Sequence, residues 1–131
     1  MYQPKLGNDI RCPLEYGLKI FGGKWKSRII CVLAHKGTLR YSNLRAEMIN
    51  ITDAVLASTL KELIADKIVQ RHSFDEIPPH VEYSLTTKGL SVVPILQNIC
   101  KWSGAFYQED CTLATMQCRK CNYTPNETHE I

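Results

Sequence analysis

The segment from Thr52 to Ala65 has two distinct faces at helical spacing, and this pattern constrains the fold more than any other part of the chain. One face carries apolar residues three and four positions apart, as one side of an α-helix requires: Leu56, Leu60, Leu63 and Ile64. The opposite face carries small and polar residues: Ala54, Ala57, Ser58 and Lys61. Thr52 is a suitable N-cap, and Asp53 is well placed near the positive end of the helix dipole. We therefore predict a helix with one face in the core and the other face open.

Three helices are predicted before this segment. Proline suits a first helical turn, so Cys12-Pro13 opens a helix over residues 14–21. A second helix ends near Lys36-Gly37, because apolar residues recur at helical spacing before it: Trp25, Ile29, Val32 and Leu33. A short connector over residues 38–40 leads to a third helix around Tyr41–Met48, with Leu44 and Met48 facing inward.

A hairpin and a long helix are predicted after it. Residues 68–74 and 81–86 alternate as strands do, around a tip over residues 75–80 that is stiffened by Pro78 and Pro79. The last helix begins near Thr87 and contains Pro94 in its first turns. The whole chain is thus predicted as α+β, mainly α, in the order of a winged helix-turn-helix with additional helices at both ends.

Bulk properties agree with one ordinary domain. The chain has 131 residues, of which 44% are hydrophobic and 22% charged, so one domain with a substantial core is expected. Its apolar runs are far shorter than the roughly 20 residues that cross a bilayer, and its start lacks a signal-peptide pattern. We expect no membrane span and a cytoplasmic location, with a domain over residues 1–110 and a cysteine-containing tail over residues 111–131.

The open face of the fourth helix suits entry into the major groove of DNA, because small side chains allow close approach and polar ones reach bases or phosphates. In such a module one helix supports the next, and the hairpin contacts the flanking backbone. The net charge of +3 permits phosphate binding without requiring it. An ordinary solvated helix face would show the same residues, and the hairpin that follows favours the DNA interpretation.

Four ordered motifs closely resemble the HxlR-type regulators, a branch of the winged-helix repressors related to MarR. They are Cys12–Tyr16 (CPLEY), Gly22–Trp25 (GGKW), Leu39–Arg45 (LRYSNLR) and Ile77–Thr86 (IPPHVEYSLT). The resemblance implies a transcriptional regulator that binds a palindromic operator in double-stranded DNA as a homodimer. Such regulators often control genes for stress or detoxification enzymes. It places the recognition helix at Thr52–Ala65 and the wing at Asp75–Val81.

The expected DNA contacts combine this resemblance with the open helix face. They are Arg40, Ser42, Arg45, Thr52, Asp53, Ala54, Ala57, Ser58, Lys61, Arg71 and His80. Ala54 and His80 stand where the family commonly has basic residues, which puts the operator sequence and the strength of phosphate binding in doubt. A winged helix that binds a protein partner instead of DNA therefore remains an alternative.

The last helix presents a broad apolar face that one small domain has few places to bury. The predicted dimer interface joins this face to the first helix and comprises Tyr16, Val92, Ile95, Ile99, Trp102 and Phe106. The alternative is that these side chains complete the core of the monomer.

Cys12 stands at the start of the first helix, beside Arg11 and three residues before Glu15 in a position like that of a capping box. The helix dipole and the guanidinium favour the reactive thiolate, whereas Glu15 opposes it. Some HxlR-type regulators sense electrophiles or oxidants with a cysteine here, which the resemblance extends to Cys12. Packing of a small residue at the dimer interface is the alternative.

The remaining cysteines divide into two groups. Cys31 and Cys100 lie in apolar helical runs and are expected in the core. Cys111, Cys118 and Cys121, with His129, could bind zinc or form a redox disulfide, although one CxxC alone is a weak zinc signal. A thiol oxidoreductase or metal carrier built on Cys118 and Cys121 is the rival from another class, but its CxxC would follow a helix and not a strand.

No nucleophile, base and oxyanion site is recognisable in the sequence, so we expect no enzyme activity and no required cofactor. The four histidines are scattered along the chain. A small-molecule or electrophile effector remains open.

Overall fold

The computed structural model describes residues 10–106. The helices are α1 (Pro13–Phe21), α2 (Lys26–Lys36), α3 (Tyr41–Met48), α4 (Asp53–Ala65) and α5 (Thr87–Gly104). The strands are β1 (Leu39–Arg40), β2 (Val69–Phe74) and β3 (His80–Leu85), in an antiparallel sheet of order β1-β3-β2. The predicted α+β, mainly helical class is confirmed.

Helix α2 lies at the centre of the fold and contacts α3, α4, α5 and β3. The predicted inward residues of α3, Leu44 and Met48, are buried. In α4 the apolar stripe is buried at Leu56, Leu60 and Leu63, while Ile64 is half-buried at its margin. Burial of each such side chain contributes about 1.5–3 kcal/mol. The core therefore holds α3 and α4 rigidly against α2 and leaves their other faces outside.

Two threonine caps begin the helices on either side of the hairpin. The Thr52 hydroxyl accepts the N–H of Val55 at 3.2 Å and starts α4 as predicted. The Thr86 hydroxyl accepts the N–H of Gly89 at 3.0 Å and starts α5. Thr86 also donates from its backbone N–H to the Ile68 carbonyl at 3.0 Å. Thr86 thereby joins the start of α5 to the corner between α4 and β2.

The hairpin pairs β2 with β3 from Val69 opposite Leu85 to Phe74 opposite His80. Only residues 75–79 form its tip. The sequence predicted a tip over residues 75–80, whereas His80 is the first residue of β3 and pairs with Phe74. The predicted wing over Asp75–Val81 spans this tip and the first two residues of β3. His80 is therefore part of a strand ladder, which fixes the direction of its side chain.

Over residues 10–106, no helix has the combination of length and apolar character that crossing a membrane demands. The predicted zinc or redox group, Cys111, Cys118 and Cys121 with His129, lies outside the described residues, as does the predicted domain boundary at residue 110.

Candidate nucleic-acid interface

The exposed face of α4 is the one that the sequence predicted. Ala54, Ala57, Ser58 and Lys61 are all exposed. The Ser58 hydroxyl donates to the Val55 carbonyl of its own helix at 3.2 Å. Lys61 forms no ion pair within residues 10–106, so its ammonium is available to a phosphate. Most side chains on this face are small, so the groove of a partner can approach the helix closely.

Between α3 and α4 the chain reverses through Ile49 and Asn50, whose φ angles are 57° and 26°. These left-handed backbone angles are disfavoured for a β-branched residue such as Ile49. They bring the start of α3 beside the start of α4, although the two lie 12 residues apart along the chain. The reversal is the turn of the helix-turn-helix.

A polar group at this turn joins three side chains. Arg45 Nε lies 2.9 Å from Asp53 Oδ1. The Tyr41 hydroxyl donates to the same carboxylate oxygen at 3.2 Å and lies 3.4 Å from the Asp53 backbone oxygen. Burial raises the pKa of Tyr41 above its ordinary value, and the hydrogen bond and charge of Asp53 raise it further. The phenol is therefore a neutral donor, and Tyr41 is a site residue that the sequence reasoning did not include.

A shallow groove of about 230 Å³ separates α4 from the sheet. Tyr41 and Tyr83 stand on one side of it, with ring centroids 6.4 Å apart, and Lys61 lies on the other. Arg71 projects from β2 at its edge and donates to the Ser73 hydroxyl at 3.1 Å. The groove brings the predicted phosphate contacts Lys61 and Arg71 to one surface.

Two further predicted contacts lie at the start of α3. Arg40 is exposed in β1 and stands opposite Glu82 in the sheet register. Ser42 is exposed and lines an open groove with Arg45 and Asp53. Of the predicted contacts, Ser42, Arg45 and Asp53 therefore line one groove, and Ala57, Lys61 and Arg71 line the other. Tyr41 lines both grooves.

The wing differs from a phosphate-binding wing. His80 Nδ1 lies 3.3 Å from Glu76 Oε1, and His80 Nε2 lies 3.1 Å from Glu82 Oε2. The imidazole stacks on Phe74 with centroids 4.5 Å apart, and its side chain is only 14% exposed. Both ring nitrogens thus face carboxylates within the hairpin. The tip itself contains Asp75, Glu76 and the fully exposed Ile77, and residues 75–79 include no lysine or arginine.

The apolar face of α5 is exposed at Ile95, Ile99 and Trp102. Phe106, two residues beyond the helix, is also exposed, and its ring centroid lies 5.4 Å from that of Trp102. Tyr16 of α1 is also exposed, and its hydroxyl accepts from Lys88 Nζ at 2.8 Å. Val92 differs, because it is 6% exposed and packs in the monomer core. The sequence reasoning missed further apolar side chains that are exposed on these helices: Leu14, Leu18 and Leu90.

The described cysteines follow the predictions unevenly. Cys12 is exposed at the N-cap of α1, but its side chain caps no N–H, and Glu15 accepts from the Arg11 N–H at 2.8 Å. The capping-box-like arrangement around Cys12 is therefore not formed. Cys31 packs against the core as expected. The expectation for Cys100 is wrong, because it is exposed one turn beyond Leu96, where α5 extends past the core.

Two short helices with a tight reversal, an open second helix and an adjoining hairpin define a winged helix-turn-helix. The HxlR-like helix-turn-helix family matches residues 20–111. An HTH-type transcriptional regulator of Halalkalibacterium halodurans is 43% identical over 101 residues, which cover 77% of this chain and 89% of the relative. The chain belongs to the HxlR-like helix-turn-helix family.

Solved structures agree with this assignment. The redox regulator HypR in its oxidized form is 36% identical with a TM-score of 0.68, and the match covers 75% of this chain and all of HypR. The reduced form of the transcriptional regulator YodB from Bacillus subtilis is 32% identical with a TM-score of 0.69, and it covers 77% of this chain and all of YodB. The family resemblance given by the four motifs is confirmed.

Proposed function

We propose that the protein is a sequence-specific DNA-binding transcriptional regulator that acts as a homodimer. The observation that carries this proposal is the open face of α4, where small residues and Lys61 stand on a helix that the core holds rigidly. Entry of such a helix into the major groove needs this combination of close approach and fixed orientation. Membership of a family of transcriptional regulators supports the same function.

Dimerisation would cover the exposed apolar face of α5. Trp102 and Phe106 are 68% and 70% exposed, and Ile95 and Ile99 are nearly half exposed. Contiguous apolar patches of this kind mark protein interfaces, and a two-fold axis lets one patch cover its copy. A dimer would present two α4 helices to the two half-sites of a palindromic operator.

The test of DNA binding uses the purified, reduced protein and the DNA upstream of its own gene, titrated by fluorescence anisotropy across a salt series. We expect specific binding that weakens steeply as the salt concentration rises. The reason is that lysine and arginine side chains of the protein release the counterions condensed on the DNA phosphates. Lys61→Ala is expected to lower the salt slope by about one unit per protomer. Lys36→Ala is the matched control, since Lys36 pairs with Glu47 outside α4. Absence of specific binding at every salt concentration would favour a protein-binding winged helix.

The test of dimerisation is sedimentation velocity on Ile99→Asp and Trp102→Asp. Each variant places a charge on the apolar face and is expected to sediment as a monomer. Ile77→Asp is the matched control, because Ile77 is fully exposed but lies at the wing tip, away from α5. A monomeric parent protein, or variants that remain dimeric, would contradict this interface.

A response to oxidants through Cys12 is part of the proposal. Its thiol is exposed at the residue before α1, and HypR is described as a redox regulator. Diamide, which oxidises thiols to disulfides, is expected to change DNA binding by the parent and not by Cys12→Ser. An equal response in both proteins would assign the response to another thiol, and DNA binding that diamide leaves unchanged would assign Cys12 a structural role. Zinc binding by Cys111, Cys118 and Cys121 is a separate proposal, tested by measuring the metal content of the purified protein.

A further inference from the structure

We propose that Asp53 is a specificity-determining residue, which holds Arg45 for reading a G·C base pair and keeps it from acting as a general phosphate clamp. This inference rests on the proposed DNA-binding function. Its basis is the group at the helix turn, where Arg45 Nε and the Tyr41 hydroxyl both approach Asp53 Oδ1, at 2.9 Å and 3.2 Å.

The carboxylate of Asp53 is not needed to cap α4. Thr52 already accepts the Val55 N–H at 3.2 Å. The contribution of the ion pair to folding is also small, because the Arg45 and Asp53 side chains are 48% and 70% exposed. Exposed ion pairs typically contribute little to stability, because water screens the charges and ordering two long side chains costs entropy. The ion pair therefore bears more on the orientation of Arg45 than on folding.

The pairing leaves one edge of the guanidinium available. Asp53 engages Arg45 through Nε, so the two terminal amino groups of Arg45 keep donors for another partner. Both side chains line an open groove of about 600 Å³ between α3 and the start of α4. In a helix-turn-helix the first residues of the recognition helix contact base edges. Asp53 is the first residue of α4, and it draws the Arg45 guanidinium from α3 to the helix start where bases are read.

The chemistry of the pair distinguishes a base edge from a phosphate. A phosphate offers only acceptors and negative charge, which Asp53 repels. The major-groove edge of a G·C pair offers two acceptors on guanine and one amino donor on cytosine. Arg45 can donate to the guanine while Asp53 accepts from the cytosine, so the two side chains together complement this base pair. Tyr41 supports the arrangement by donating to Asp53 from α3.

The experiment selects duplexes from a pool of randomised DNA with the parent protein, then measures each single-base variant of the selected site. A preference for G·C at one position of each half-site is expected. Asp53→Asn is expected to weaken that preference roughly ten-fold or more. It is also expected to strengthen binding to unrelated DNA, because one negative charge is removed. Arg45→Lys keeps the charge and loses the guanidinium edge, so it is expected to lose the preference and to retain the salt slope.

Further readouts separate positioning from a structural role. Tyr41→Phe is expected to reduce the same preference, while circular dichroism shows that the variant is still folded under the conditions of the binding assay. If Asp53→Asn weakens binding equally at every base pair, or if Arg45→Lys keeps the G·C preference, the inference is overturned. If the parent selects no sequence at all, the proposed function fails and the inference fails with it. If the parent selects a site and Asp53→Asn changes nothing, only the inference fails.

Discussion

Replacing Gly89 with alanine should destabilise the protein, although alanine is the better helix former. A Cβ at this position would overlap the Ile68 carbonyl oxygen, and it would lie 3.1 Å from the Ile68 carbonyl carbon and 3.2 Å from Leu85 Cδ2. The Ile68 carbonyl belongs to the backbone and cannot rotate away as a side chain can. The start of α5 would therefore have to move away from Ile68, to which the Thr86 N–H donates. Overpacking costs about 1–3 kcal/mol and a lost hydrogen bond about 1 kcal/mol. The propensity of alanine offsets about 1 kcal/mol.

These terms predict a net loss of about 2 kcal/mol in the free energy of unfolding. This loss is equivalent to a fall of roughly 8 °C in the thermal unfolding midpoint. Urea denaturation followed by circular dichroism, at one fixed protein concentration, measures it. Gly17→Ala is the matched control, because its Cβ would meet only Phe21 Cε2, at an ordinary distance of 3.8 Å. The control is expected to be as stable as the parent or slightly more stable. A Gly89→Ala protein as stable as the control would refute the steric reasoning.

Two other predictions concern α4 and its neighbour Tyr41. Thr52→Ala removes the acceptor for the Val55 N–H and should lower the free energy of unfolding by about 1 kcal/mol, whereas Ser58→Ala should change it by less than about 0.5 kcal/mol; equal urea midpoints for the two variants would contradict the capping role. Because the pKa of Tyr41 is raised above 10.0, the folded state holds this proton more tightly than the unfolded state. Its contribution to stability is therefore complete below that pH and is lost as pH rises further. Urea midpoints across an alkaline pH series should fall more steeply for the parent than for Tyr41→Phe, and parallel curves would count against the shift.

The parts of the fold that sequence could predict are those that local chemistry determines. The apolar stripe of α4 and the Thr52 cap depend on residues within one or two turns of each other, so spacing alone predicts them. The short connector and the inward residues Leu44 and Met48 likewise placed α3 around Tyr41–Met48, as the structure does.

The parts that it could not predict depend on contacts between distant segments. Tyr41 and Asp53 meet because the chain reverses between two helices, and no spacing rule joins residues 12 positions apart. His80 was predicted as a DNA contact from its place in the motif. In the structure His80 and Glu82 lie two residues apart on β3, and the imidazole faces the Glu82 carboxylate. Val92 and Ile95 share an apolar pattern, and only the packing of α5 shows which of them the monomer buries.

The acidic wing has a consequence for how the regulator would find its site in a genome. A wing tip with Asp75 and Glu76, and with the imidazole of His80 turned inward, adds no counterion release to an encounter with random duplex. Residence on irrelevant DNA would then be brief, and one-dimensional sliding would be short compared with three-dimensional diffusion. Less of the protein would be held on unrelated DNA, and occupancy of the operator would depend on the contacts made at that site.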